Sequence, residues 1–143
     1  MQLQKEINPA LNTITAYDVD FVEINREKHH SSVYFRPEGT IEPFAAQTID
    51  DITQALLRRI TGLDEIKQDP MAFLDGNAAT LPANAPEVVL IGTGQTQKLL
   101  APHITSELLG HRIGVEVMDT QAAARTYNIL MSEGRKVIAA LLI

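Results

Sequence analysis

Pro86-Glu87-Val88-Val89-Leu90-Ile91-Gly92-Thr93-Gly94 is the stretch that decides the fold. A short, continuous apolar run between a proline and a pair of glycines offers no polar face. It therefore reads as a strand covered on both sides, as strands of parallel sheets are. Thr93-Gly94 turns the chain, and Pro102 suits the first turn of a helix that ends near Gly110. Ile113 to Met118 predicts a second strand. Asp119 or Thr120 then caps a helix through Ser132, with Ala122, Thr126, Ile129 and Ala123, Tyr127, Leu130 expected to face the sheet. Gly134 is placed as the left-handed residue that closes this helix. Val137 to Ile143 is apolar on both faces and is expected in the interior of the sheet. Strand–helix–strand–helix–strand in this order predicts a right-handed βαβαβ unit.

Upstream, the pattern is that of short β structure. Thr13 to Tyr17 is followed by Val19 to Asn25, with a partial alternation of apolar and polar residues. Asn25 to His30 is polar and suits a turn. Ser31 to Arg36 predicts a third strand, stopped by Pro37-Glu38-Gly39, so the three strands are expected as an antiparallel meander. Ile49, Ile52, Leu56 and Ile60 then share one face of an expected helix, with Asp50 and Asp51 near its positive end and Gly62 stopping it. Residues 64–86 carry Pro70, Gly76, Pro82 and Pro86, and read as an irregular loop with one helical turn around Met71 to Leu74. The fold class is α/β: three layers, a mixed β-sheet, N-terminal antiparallel strands and the C-terminal βαβαβ unit, in a single domain over residues 1–143.

Composition narrows the function classes. The chain has 143 residues, 45% of them hydrophobic, enough for one core without disulfides or metals. Its formal net charge of -6 argues against general nucleic-acid binding, which needs surplus Lys and Arg. There is no cysteine, which excludes disulfides, thiolate metal sites and a cysteine nucleophile. The N-terminus has no apolar signal region, and no apolar run reaches the roughly 20 residues of a membrane span. A soluble, cytoplasmic protein without membrane insertion is expected.

Each polar constellation has a structural and a functional reading. Gly92-Thr93-Gly94 follows a buried strand, where glycines let backbone approach a ligand. Position 97 is Gln rather than the third glycine of a dinucleotide fingerprint, and no P-loop sequence is present. The structural reading is a steric turn. Asp119 and Thr120 read as N-cap residues. Arg125 and Asn128 share one helix flank, and Glu133 and Arg135 lie beside the helix end, either as a solvated ionic rim or as a polar cluster. Open α/β sheets place ligands at the carboxyl ends of their strands, so Arg125, Asn128 and Arg135 are expected near the Gly92–Gly94 turn. His29-His30 read as exposed turn histidines, and His103 and His111 add no metal-ligand spacing. Ser31 and Ser32 lack the nucleophile-elbow pattern.

Val88 to Gly94, Gly114-Val115-Glu116-Val117-Met118-Asp119-Thr120, Ala124-Arg125-Thr126-Tyr127-Asn128-Ile129-Leu130 and Glu133-Gly134-Arg135 together resemble one small α/β family. It includes the mitochondrial respiratory complex I assembly factor three and the vertebrate adipogenesis-associated domain protein. The likeness is weaker over residues 13–44 and absent over about 46–84, which look longer than usual. It implies a three-layer fold with a mixed sheet, no established reaction, no cofactor and a protein partner. The residues it carries over are Gly92, Gly94, Glu116, Asp119, Thr120, Arg125, Thr126, Tyr127, Asn128, Glu133 and Arg135, with Thr93 between the glycines.

The first reading is accordingly a non-enzymatic binding or assembly protein. The alternative is an enzyme or binder of a small anionic ligand that uses the Gly92–Gly94 loop with Asp119, Arg125 and Asn128. A concave pocket with several of these groups converging would favour the alternative, and an exposed apolar patch the first.

Overall fold

The computed structural model describes residues 11–65 and 81–143. The strands are β1 (Ile14–Tyr17), β2 (Val22–Ile24), β3 (Glu27–His29), β4 (Val33–Phe35), β5 (Glu42–Pro43), β6 (Val88–Gly92), β7 (Gly114–Met118) and β8 (Val137–Leu141). The helices are α1 (Gln54–Thr61), α2 (Pro102–Gly110) and α3 (Thr120–Ser132), with short 3-10 turns at Ile49–Asp51 and Leu63–Glu65. The expected turn at Met71 to Leu74 lies outside the described residues.

Two sheets form: β1-β2-β3, and a five-stranded sheet in the order β5-β4-β8-β6-β7. β6 is parallel to both β7 and β8, with Leu90 paired to Glu116 on one side and Ala139 on the other. β8 is antiparallel to β4 on its far side. It is thus interior, and all five of its residues are buried. The period of two sorts the sheet into two cores. Val88, Leu90, Val137, Ala139 and Leu141 face α3 and the three-stranded sheet. Val89, Ile91, Ile138, Ala140 and Leu142 face α1 and α2. The crossovers β6-α2-β7 and β7-α3-β8 therefore cover opposite faces, giving the three-layer mixed sheet that the sequence predicts.

Four local expectations are corrected. The third strand of the meander is β3, inside the stretch read as a turn; the turn itself is only Asn25-Arg26, between Ile24 and Glu27, which pair. Both turn residues have positive φ (54 and 70), the twist that suits a two-residue hairpin. The predicted third strand, 31–36, instead supplies β4 to the main sheet. Val33 and Phe35 enter one core while Tyr34 lies against the other, so β4 needs cover on both faces, and only the central layer offers that. The predicted helix at 49–60 begins late. Ile52 is extended, and the Thr53 side chain caps α1 by accepting from the Leu56 N–H. Asp51 instead accepts from the N–H groups of Gln47 and Thr48, which hold its carboxyl below the usual range. On α3 the buried residues are Thr120, Ala123, Ala124 and Tyr127, whereas Ile129 is 57% exposed and faces away.

Candidate functional site

The carboxyl ends of β6 and β7 are where the chain leaves for opposite faces, the place at which open α/β sheets leave a ligand crevice. Here the crevice is narrowed by the backbone itself. A Cβ on Gly92 would stand 2.9 Å from the Thr120 Cα and 3.0 Å from Leu141 Cδ2. The buried Thr120 hydroxyl donates to the Leu142 carbonyl (2.7 Å) and accepts from the Gly94 N–H (2.8 Å). The Thr120 N–H donates to Gly94 O and the Thr93 N–H to Met118 O. Thr93 Oγ1 donates to the Thr96 carbonyl (2.6 Å) and accepts from the Lys98 N–H (3.2 Å), shaping the loop that follows. Asp119 caps α3 by accepting from Ala122 N–H (2.8 Å). What remains is a cleft of about 100 Å³ between Asp18, Phe21, Gly94, Thr120 and Ile143.

The flank of α3 is bound to β1 rather than to that turn. Asn128 accepts from the Ile14 N–H (3.0 Å) and donates to the Ile14 carbonyl (2.7 Å), satisfying both backbone groups. Tyr127, fully buried, donates its hydroxyl to Asn12 O (2.7 Å) and meets Phe35 edge-on at 4.8 Å. Burial pushes this phenol well above its ordinary pKa. Arg125 lies on the outside, donating to the Tyr17 hydroxyl (3.1 Å), a contact that raises its pKa. Thr126 reaches Met118 Sδ at 3.5 Å. Glu116 is exposed on β7, the edge strand, and Glu133 is the exposed C-cap of α3.

Arg135 is at the other end of the sheet, which corrects the expectation that it joins Arg125 and Asn128 beside Gly92–Gly94. Its Nε donates to Glu87 Oε2 (3.0 Å), ahead of β6, and the two side chains are about half exposed. The turn that carries it is held by Gly134 (φ 75) and by the bonds Gly134 N–H to Met131 O and Arg135 N–H to Leu130 O. That is the 5→2, 6→1 closure in which glycine at C′ is preferred.

The same end holds polar groups that spacing along the chain does not connect. Asn12 donates to the carbonyls of Arg36 (2.7 Å) and Gly39 (2.9 Å), and its Oδ1 accepts from Asn25 (2.8 Å). Arg36 donates from Nη1 to the Asn84 carbonyl. Its guanidinium is half-buried, and desolvation lowers its pKa from the ordinary value. The histidine pair is also not a turn. His29 sits on β3 with Nε2 enclosed and without a hydrogen-bond partner among the described residues.

Residues 14–142 match the model of a protein family of unknown function, DUF498/DUF598. The chain belongs to this family. A Bordetella pertussis protein solved by NMR and described as a Mth938-like domain is 50% identical, with TM-score 0.79, covering 99% of this chain and 92% of that one. A crystal structure from Bordetella parapertussis is 45% identical, with TM-score 0.75, covering 93% of this chain and 96% of that one. Over 56 residues the chain is 43% identical to the Bos taurus NADH dehydrogenase [ubiquinone] 1 alpha subcomplex assembly factor 3, covering 39% of this chain and 30% of that protein. It is 35% identical over 75 residues to a 13 kDa major membrane protein of Francisella tularensis, covering 52% of this chain and 58% of that protein. The chain thus spans less than two thirds of the length of these two relatives. No helix among the described residues is long and apolar enough to cross a membrane.

Proposed function

We propose that the chain is a non-catalytic binding domain that works in the assembly of a protein complex. One observation carries this reading: the polar side chains that would have to converge on a substrate are engaged within the fold. Asn128 spends both amide atoms on Ile14, Thr120 is bonded on two sides, and Asp119 caps a helix. The naming of several relatives as assembly factors supports the same direction. Leu99 is 83% exposed, the most exposed large apolar side chain among the described residues, and it is the position at which the reading is tested.

The test is affinity purification of the tagged chain from its native host, with stoichiometry read by mass spectrometry, beside the Leu99→Asp variant. The expected result is a stoichiometric protein partner whose recovery falls for Leu99→Asp at unchanged melting temperature. Recovery of the chain alone, together with a metabolite-induced melting shift abolished by Asp119→Ala and Arg125→Ala, would replace this reading with an enzyme or small-anion binder at the strand ends.

A further inference from the structure

A concavity lies not at the carboxyl ends of the parallel strands but at the opposite end of the sheet. It measures about 450 Å³, within the size range of small-molecule sites, and Arg36, Arg135 and Lys136 line it beside Leu11, Pro37 and Met131. Three cations face one lining carboxylate, Glu38, in a chain whose net charge is -6. Arg135 is already paired with Glu87, and Lys136 Nζ makes a long contact of 3.5 Å to Ala83 O. Arg36 differs from both. Among the described residues it has one hydrogen bond, to a neutral carbonyl, and no ion pair.

A guanidinium has five N–H donors, so Arg36 keeps donors for a further acceptor. Its position is fixed by the fold. Tyr127 holds Asn12, Asn12 holds the Arg36 and Gly39 carbonyls, and the closure at Gly134 sets Arg135 and Lys136. The negative end of α3 accounts for part of the attraction of Arg135 and Lys136 to this end, but the Leu130 and Met131 carbonyls are taken by the Gly134 turn. Arg36 comes from the end of β4 and owes nothing to that helix.

We propose that this concavity binds a small organic acid, its anionic head on Arg36 and Lys136 and its apolar body along Leu11, Pro37 and Met131. The planar fork of arginine matches a carboxylate in two parallel hydrogen bonds. Glu38 at the wall disfavours a dianion, so a single negative charge on an apolar body fits best. This site is separate from the assembly role, and from the strand-end cluster that would carry the alternative to it.

The test uses the full chain, with hexanoate, its neutral analogue hexanamide, and inorganic phosphate as probes, followed by amide NMR at Gly134, Lys136 and Val137. Hexanoate is expected to shift these resonances saturably, hexanamide to leave them unmoved, and phosphate to bind at least tenfold more weakly. Arg36→Gln should weaken hexanoate at least tenfold, and the exposed Lys136→Gln supplies a second variant if Arg36→Gln fails to fold. Equal response to hexanamide, phosphate binding as tight as hexanoate, or hexanoate binding unchanged in a folded variant would each overturn the proposal. None of these outcomes bears on whether Leu99→Asp loses a protein partner.

Discussion

At Gly92 the difference between glycine and alanine is one methyl carbon, and there is no room for it. The nearest obstacles are a backbone Cα of α3 and a buried leucine, neither of which is the free end of a flexible chain. Gly92→Ala is therefore expected to cost roughly 1–3 kcal/mol, the usual range for overpacking, and to loosen Thr120 from Gly94 and Leu142. Urea denaturation of the variant checks this, and an unchanged midpoint would show that α3 can retreat. The glycine at this position is thus explained by close approach of protein to protein. A ligand is not required to account for it.

At the scale of elements, the question is what fastens the three-stranded sheet to α3. Apolar contact through Ile14, Val22 and Ile24 provides area, but Asn128 provides the register, since it pairs with both backbone groups of Ile14. Asn128→Ala removes two partly buried hydrogen bonds and strands an N–H and a carbonyl, for an expected loss of about 2 kcal/mol. Arg125→Ala, three residues away on the same helix, removes only an exposed contact to Tyr17, so its melting temperature should match the wild type. Melting curves of the two variants check the contrast. If Arg125→Ala proved the more damaging, the docking of β1 on α3 would have to be drawn differently. The expectation that both residues serve one cluster is replaced by a division of labour along one helix.

For the molecule as a whole, β8 is the element on which everything else converges. It pairs with β4 on one side and β6 on the other, and contributes to both cores. Deleting residues 138–143 would leave β4-β5 and β6-β7 as separate pieces, each with an unpaired edge, and would take most of the β8 side chains out of both cores. Such a chain is expected to lose cooperative melting and native circular dichroism. A truncated protein that kept both would show that β4 and β6 can close on each other directly.

The sequence alone determines the C-terminal architecture, because the signals there are local: a run without polar residues at 88–91, an N-cap at Asp119, a glycine just beyond Ser132, and two greasy faces at 137–142. Each acts within one or two turns of chain and needs no knowledge of the rest. It also predicts strands in the N-terminal third, since their apolar content is plain. Only the tertiary structure decides which sheet each strand joins. Val33-Tyr34-Phe35 can be recognised as a strand, but its partner is β8, more than a hundred residues away. The same holds for the polar residues. Arg125, Asn128 and Arg135 look like neighbours along the chain, yet the fold sends them to solvent, to β1 and to the far end of the sheet. It brings Arg36 toward Lys136 instead, across a distance that no spacing rule spans, because side-chain convergence depends on strand order and strand order on which apolar faces can be covered together.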